Sequence, residues 1–270
     1  MSAQQKLSEL RRLLGDMKRV LVCFSGGVDS SLMTRVAHDV LGDDAIALTT
    51  VSPTNPDEDT EDAVELASQL SIEHLIVHAN ELDIPNYRSN PIDRCYFCKS
   101  NLYEIATAQA ARREIPWIVD GVNADDLGDY RPGLRAAAER TIRHPLAEAS
   151  LGKQEIRELS RDLGLRTFDR PASPCLSSRF PYGTAITLEG LAKVSQGEKW
   201  LRAHGFRECR VRYYGNRARV EVPRDEIARL NASPLRDELE SQLRSVGFTE
   251  VEIDPRGFRS GSLNEALRTT

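Results

Sequence analysis

Residues 20–33 restrict the possible folds of this chain more than any other segment. An apolar, largely β-branched run over residues 20–24 predicts a buried strand, and a Ser-Gly-Gly turn leads from it into an amphipathic segment typical of a helix. Glycines let a backbone approach an anion closely, and the unpaired N–H groups at a helix N-terminus attract phosphate. The order of strand, glycine turn and helix therefore predicts a phosphate-binding loop.

The loop does not match the ATPase pattern G-x-x-x-x-G-K-[ST], because no lysine follows its glycines. Residues 25–30 instead resemble the SGGxDS loop of ATP pyrophosphatases, which cleave ATP between its α and β phosphates. A turn with a capped helix and no ligand is the alternative interpretation. The resemblance implies that the loop binds ATP through Ser25, Gly26, Gly27, Asp29 and Ser30.

Apolar and amphipathic segments alternate beyond the loop. Strands are predicted at residues 45–51, 73–78 and 117–121, with a helix at residues 57–70. This alternation predicts an α/β fold with a doubly wound parallel sheet, which binds ligands outside the carboxyl ends of its strands. The loop resemblance implies the adenine nucleotide alpha hydrolase-like form of that fold.

We expect two domains, at residues 1–183 and 184–270, the second a smaller α+β unit. Alternating residues around a Gly-Asn turn predict a hairpin over residues 208–222. Arg210, Arg212 and Tyr214 then share one face of the first strand. Periodicity alone favours a solvated sheet edge for that face.

Composition excludes several classes of protein. The 270 residues are 40% hydrophobic and 29% charged, as in an ordinary globular protein. A net charge of −5 argues against an extensive basic surface that would bind nucleic acid. No apolar run approaches the roughly 18 residues that a membrane helix needs, and the N-terminal segment lacks a signal-peptide core. We therefore expect a cytoplasmic protein with neither a membrane partner nor a nucleic-acid partner.

The five cysteines fall into two groups. Cys23 and Cys209 lie in or beside apolar strands and are predicted to be packing residues. Cys95 and Cys98 form a C-x-x-C pair, and Cys175 follows in a proline-flanked loop. Three thiolates without a fourth cysteine outside the apolar strands, or an adjacent histidine, favour a [4Fe-4S] cluster with one open iron over a closed zinc site. A zinc site completed by a histidine stays open as an alternative, with His74, His78 and His144 as the candidates.

Carboxylates are dense after the fourth predicted strand, over residues 120–126. Carboxylates beside a bound polyphosphate suit Mg²⁺, although a solvated loop explains Asp125 and Asp126 nearly as well. Asp129 and Arg131 come next, and an arginine suits a phosphate or a carboxylate substrate.

Four stretches taken together resemble the LarE family of ATP-dependent sulfur insertases, which act in nickel-pincer nucleotide cofactor synthesis for lactate racemase. They are residues 25–30, 129–133, 174–183 and 257–261. The resemblance extends over nearly the whole chain. It implies adenylation of a pyridinium carboxylate mononucleotide, then sulfur delivery to the activated carbonyl with release of AMP and pyrophosphate.

The resemblance also implies roles for individual residues. Asp29 and Cys175 are expected to be catalytic, and Cys95, Cys98 and Cys175 to hold the cluster that carries sulfide. Some members instead sacrifice one cysteine as the sulfur donor and lack the C-x-x-C pair. The implied nucleotide set adds Asp129 and Arg131 to the loop residues, and the substrate-phosphate set is Glu198, Arg210, Arg212 and Arg259.

The expected cofactors are ATP, Mg²⁺ and the cluster, and the expected partners are the mononucleotide, a sulfide donor and further copies of the chain. A tRNA thiolase shares the loop and the three-cysteine pattern, but the acidic composition and short tail argue against it. An amide synthase is disfavoured because no N-terminal nucleophilic cysteine is present. A non-catalytic nucleotide or iron-sulfur sensor is the alternative from a different class.

Overall fold

The structure is a computed structural model that describes residues 1–128, 132–171 and 173–259. It divides into two compact units. The first comprises Met1–Tyr87 and Asp93–Ser173, and the second comprises Arg88–Ile92 and the chain from Pro174 onward. Cys95 and Cys98 thus belong to the first unit, and Cys175 belongs to the second.

The first unit contains a four-stranded parallel sheet, in which the strands lie in the order Glu73–His78, Ala45–Val51, Val20–Cys23 and Trp117–Val119. The α/β architecture expected from the sequence is therefore confirmed. In chain order the elements are α1 (Ala3–Met17), β1 (Val20–Cys23), α2 (Val28–Leu41), β2 (Ala45–Val51), α3 (Asp57–Leu70), β3 (Glu73–His78), α4 (Pro85–Arg88), α5 (Arg94–Arg112), β4 (Trp117–Val119), α6 (Pro132–Ala138), α7 (Pro145–Glu148) and α8 (Lys153–Asp162).

The sheet is covered on both faces because successive side chains of a strand point in opposite directions. Val20 and Val22 of β1 pack in a cluster with apolar residues of α1, α2 and α8. Leu21 and Cys23 pack in a second cluster with residues of α5 and α6. Cys23 is 6% exposed, as predicted for a packing residue, and burial raises the pKa of its thiol to about 12.

The fourth strand ends at Val119, two residues earlier than predicted. The next backbone N–H, at Asp120, donates to the carbonyl of Arg143, which lies on a neighbouring extended segment. Gly121 then packs against the start of α2, where a Cβ would lie 2.9 Å from the Ser30 nitrogen. The chain leaves the sheet at this position to reach the loop after β1.

The second unit is a three-stranded sheet with helices, in which the strands lie in the order Arg210–Tyr214, Arg217–Glu221 and Glu250–Ile253. The predicted hairpin is antiparallel, and the last strand pairs with the middle strand in parallel. Cys209 is 1% exposed and packs in the core of this unit, as predicted. The elements are α9 (Leu188–Ala203), β5 (Arg210–Tyr214), β6 (Arg217–Glu221), α10 (Ile227–Asn231), α11 (Leu235–Ser245) and β7 (Glu250–Ile253).

Over the part of the chain that the structure describes, every helix is too short or too polar to span a bilayer.

Two glycine substitutions are expected to change stability in opposite directions. A Cβ at Gly190 of α9 would lie 2.9 Å from two ring atoms of buried Phe180, so Gly190→Ala should lower the free energy of unfolding by about 1–3 kcal/mol. Gly15 of α1 has open space, its nearest neighbour lying 3.8 Å away, so Gly15→Ala should raise it by about 0.5–1 kcal/mol. Urea unfolding measures both, and equal effects would contradict the packing described for α9.

Candidate functional site

The loop between β1 and α2 is held together by its own hydroxyl groups. The Ser30 hydroxyl donates to the Gly27 carbonyl at 3.1 Å and accepts from the Ser25 N–H at 3.2 Å. The two serine hydroxyls lie 3.1 Å apart. Residues at both ends of the predicted motif therefore fix the turn between them.

Two positions at this loop require glycine. Gly26 has a φ of +73°, and a Cβ there would lie 2.7 Å from the Asp59 carbonyl of α3. Gly121 faces the start of α2 at a similarly short distance. Because backbone atoms occupy both places, no side-chain movement relieves either clash.

The N-terminus of α2 opens at the loop. Its N-cap, Gly27, has no side chain with which to cap the helix, and the first helical bond runs from the Ser31 N–H to the Gly27 carbonyl at 2.9 Å. The N–H groups of the first turn therefore have no acceptor within the helix. Their partial positive charge makes this position favourable for an anion.

Asp29, in the first turn of α2, contacts two residues from distant parts of the sequence. Its carboxylate accepts from the Lys153 ammonium at 2.5 Å and from the Asn123 amide at 3.3 Å. Lys153 is the first residue of α8, and its backbone N–H donates to Asp125 at 2.7 Å. No sequence motif marks Lys153, which brings a cation beside the loop.

The carboxylates after β4 have structural contacts. Asp120 is 2% exposed and accepts from the Tyr103 hydroxyl at 2.6 Å and from His144 Nδ1 at 2.7 Å. Asp126 is buried and accepts from the Asn123 N–H at 3.2 Å, so the solvated-loop interpretation is wrong for this residue. Asp129 and Arg131 lie outside the described residues.

Arg170 reaches the loop from the segment after α8. Its guanidinium donates to the Gly26 carbonyl at 3.0 Å and pairs with Asp59 at 2.6 Å and Asp62 at 2.8 Å, both on α3. No sequence motif marked this arginine. Each of its three partners lies more than one hundred positions away in the sequence, so local patterns do not reveal these contacts.

The three cysteines proposed as cluster ligands lie outside the cores of both units. Cys95 and Cys98 lie in the first two turns of α5, where Cys95 is exposed and Cys98 half-buried. Cys175 is half-buried and directly precedes a short helical turn in the second unit. Within the described ranges, no three His, Cys, Asp or Glu side chains are grouped as a metal site.

Two of the histidines considered as zinc ligands are engaged elsewhere. His74 Nε2 lies 2.7 Å from the Thr49 hydroxyl, and burial lowers the pKa of this imidazole. His144 is held by Asp120 through Nδ1, as described above. Both imidazoles thus have hydrogen-bond partners within the protein, which is typical of histidines with a structural role.

In the second unit, Glu198 lies at the centre of a buried charge network. It is fully buried, and its carboxylate accepts from Arg179 Nε at 2.7 Å, from Arg179 Nη2 at 2.8 Å and from the Val211 N–H at 3.1 Å. Burial favours the neutral acid, but the charge and hydrogen bonds of Arg179 outweigh that effect and lower the pKa of Glu198. Glu198 is thus held as a carboxylate in a fixed orientation.

The arginines of β5 are less exposed than their alternation predicted. Arg212 is 7% exposed, donates to the Ser178 carbonyl at 2.9 Å and pairs with Glu221 at 2.8 Å, so the solvated-edge interpretation is wrong for it. Burial, with a contribution from the charge of Arg179, lowers the pKa of Arg210 to about 10. The Arg210 guanidinium carbon lies 4.9 Å from the Phe258 ring centroid. Arg259 donates to the Gly257 carbonyl at 3.0 Å.

Comparison with known proteins places the loop in a recognised family. The NAD synthase family matches residues 8–91, which contain the loop. An uncharacterized protein of Synechocystis sp., slr1717, is 46% identical over 98% of both chains. The pyridinium-3,5-bisthiocarboxylic acid mononucleotide synthase of Lactiplantibacillus plantarum is 38% identical over 97% of this chain and 95% of its own.

A third relative, the uncharacterized protein MJ0830 of Methanocaldococcus jannaschii, is 29% identical over 95% of this chain and 98% of its own. All three similarities therefore extend through both compact units and include the phosphate-binding loop. The identity with the synthase is high enough, over nearly the full length of both proteins, to establish common membership. The chain belongs to the LarE family of ATP-dependent sulfur-inserting enzymes.

Proposed function

We propose that this enzyme uses ATP to activate the carboxylate of a pyridinium mononucleotide and then replaces the activated oxygen with sulfur. The observation that carries the proposal is the 38% sequence identity, over nearly the full length of both chains, with a pyridinium-3,5-bisthiocarboxylic acid mononucleotide synthase. The geometry of the loop supports the same conclusion, because a glycine turn opening a helix N-terminus suits a polyphosphate.

In the first step, a substrate carboxylate oxygen attacks the α-phosphorus of ATP. The bond from that phosphorus to the bridging oxygen breaks, pyrophosphate leaves, and an acyl adenylate forms. The first-turn N–H groups of α2 and the hydroxyls of Ser25 and Ser30 bind the polyphosphate in this proposal. Lys153 adds a cation for the negative charge of the departing pyrophosphate. Asp29 would hold a Mg²⁺ ion, which would neutralise part of the phosphate charge when bound.

In the second step, a sulfur nucleophile attacks the acyl carbon, and AMP leaves with the electron pair of the broken C–O bond. A carboxylate is a poor acyl donor because its oxygen is a poor leaving group, whereas AMP departs readily. The nucleophile must therefore be held close to the adenylate. We assign that role to the region of Cys175.

We further propose that Cys95, Cys98 and Cys175 hold a [4Fe-4S] cluster. The chemistry of this donor set fits the group, since all three thiols lie outside the cores, whereas burial raises the pKa of the Cys23 and Cys209 thiols. When bound, a cluster with one iron not ligated by cysteine supplies a place to carry sulfide. Sacrifice of Cys175 itself is the alternative source of sulfur.

We assign the substrate phosphate to the set Glu198, Arg210, Arg212 and Arg259, in which the three arginines would bind the phosphate and the buried Glu198 carboxylate would balance part of their charge. The planar guanidinium of arginine matches two phosphate oxygens, and a partly buried guanidinium binds an anion more strongly than an exposed one. Arg179 holds Glu198 with two hydrogen bonds, so the acidic member of the set is oriented before substrate arrives. We also propose that a separate donor supplies the sulfide and that copies of the chain associate with one another. Asp129 and Arg131 are proposed to contact the nucleotide.

The loop proposal is tested by a pair of alanine substitutions at glycines with the same φ. Gly26→Ala should lower ATP-dependent pyrophosphate release about a hundredfold or more, because its Cβ meets the Asp59 carbonyl and displaces the loop. Gly164 shares the φ of +73° but has nothing within 4 Å of its Cβ, so Gly164→Ala should retain near wild-type release. Similar losses in both variants would mean that backbone strain alone explains the effect.

The cluster proposal is tested by metal and sulfide content after anaerobic purification. The wild-type protein should contain about four iron atoms per chain, and Cys95→Ala, Cys98→Ala and Cys175→Ala should each lose most of them. Cys209→Ala is the control, since that thiol is buried in the core. Bound zinc without iron, or iron retained in all three variants, would contradict the proposal.

The substrate-phosphate proposal is tested by Arg212→Lys, which keeps the charge opposite Glu221 but removes the planar fork. The KM for the pyridinium mononucleotide should rise about tenfold while the KM for ATP changes less than about twofold. Arg217→Lys on the neighbouring strand provides a control, because 42% of the Arg217 side chain is exposed, compared with 9% for Arg212. An equal rise in both KM values for Arg212→Lys would indicate a general effect on folding.

A further inference from the structure

Arg170 makes one contact that its two ion pairs do not require. Besides pairing with Asp59 and Asp62 on α3, it donates from Nη1 to the carbonyl oxygen of Gly26 at 3.0 Å. Only 17% of its side chain is exposed, so water competes weakly for these bonds. A charged donor is therefore directed at the backbone of the phosphate-binding loop.

The guanidinium is held in place from several sides. Arg157 donates to the backbone carbonyls of Phe168 and Arg170, both at 2.7 Å, which fixes the segment that carries Arg170. The Ser173 hydroxyl donates to the second oxygen of Asp59 at 2.9 Å. The two oxygens of Asp59 thus have separate donors, and Arg170 is left in a single orientation.

The contact at Gly26 determines the direction of a different group. The Gly26 carbonyl belongs to the peptide bond whose N–H is that of Gly27, and in a planar trans peptide these two groups point in opposite directions. Fixing the carbonyl toward Arg170 therefore fixes the Gly27 N–H away from it. Neither glycine has a Cβ to restrict this peptide, so rotation of the Gly26–Gly27 unit is restrained mainly by its hydrogen bonds.

We infer that Arg170 is a positioning residue for the phosphate-binding loop: by holding the Gly26 carbonyl it keeps the Gly27 N–H available to a phosphate oxygen of ATP. The inference rests on the proposed ATP site. With the peptide reversed, the carbonyl oxygen would face the phosphate instead, and two partial negative charges would repel. Arg170 excludes that arrangement before ATP arrives, so none of the binding free energy is used to turn the peptide.

A simpler role for Arg170 would be to tie α3 to the segment after α8. The chain offers a matched control for that role, because Arg166 pairs with Glu65 of α3 at 2.8 Å across the same two segments. That pair is exposed, with 80% and 55% of the two side chains accessible, and Glu65 is not part of the loop. Removing the Arg166–Glu65 pair therefore tests the effect of linking these two segments while the contact to the Gly26 carbonyl is kept.

The experiment compares wild type, Arg170→Met, Arg170→Lys and Arg166→Met by calorimetric titration with ATP and with inorganic pyrophosphate. Arg170→Met should weaken both ligands about tenfold, the effect of losing one charge-assisted hydrogen bond. Arg170→Lys should lie between, since a compact ammonium keeps the charge but lacks the planar fork with which Arg170 reaches the carbonyl and both carboxylates. Arg166→Met should bind both ligands as wild type does.

A second readout follows the peptide itself. In ¹⁵N-labelled protein, pyrophosphate should shift the Gly27 amide resonance in wild type and Arg166→Met, and much less in Arg170→Met. Melting temperature without ligand shows whether each variant is folded, and Arg170→Lys retains the charge if Arg170→Met does not fold. Equal ATP affinity in wild type and the Arg170 variants, or an equal loss in Arg166→Met, would overturn the inference. Failure of wild type to bind either ligand would instead contradict the proposed ATP site.

Discussion

The close approach of two backbones at Gly26 is the constraint on which the phosphate-binding loop depends. A side chain at this position would collide with the Asp59 carbonyl at 2.7 Å, and the chain adopts a φ of +73° that only glycine takes without strain. The close approach lets α3 support the loop from one side. The same geometry places Asp59 where it can hold Arg170, so the carboxylate, the guanidinium and the loop backbone form one connected arrangement. Loop shape is therefore set by tertiary packing as well as by its own sequence.

The second unit buries charged side chains in their ionised forms, because each buried carboxylate is paired with an arginine. Removing Glu198 would leave the Arg179 charge buried without its carboxylate partner, a change that typically costs about 3–5 kcal/mol. The Glu198 carboxylate accepts two hydrogen bonds from Arg179, one from Arg202 at 3.4 Å and one from the Val211 N–H. A second buried pair joins Arg212 to Glu221. Such pairs add little net stability compared with apolar packing. Their value lies in fixed orientation, which suits a set of side chains assigned to a phosphate.

Local patterns predicted much of the fold and only part of the site. The strands at residues 45–51 and 73–78 and the helix at residues 57–70 have the predicted bounds, because hydrophobic periodicity and turn residues act locally. Lys153 and Arg170 escaped detection because their partners Asp29 and Gly26 lie 124 and 144 positions away. Arg212 was misjudged for another reason: alternation shows which side chains share a face, but it does not show whether another segment covers that face.

Lys153 illustrates how charge is arranged around an anion site before the anion is present. A lysine ammonium beside the N-terminus of α2 would by itself be repelled by the partial positive charge of the helix. Asp29 lies between them in the first helical turn, where a carboxylate is favourable, and its 2.5 Å contact holds the ammonium in place. Because the charges of Asp29 and Lys153 cancel, the pair adds no net negative charge to the loop. In the proposed ATP site, the helix N–H groups and the cation are therefore in position before a polyphosphate binds, and Asp29 has the Asn123 amide as a second partner.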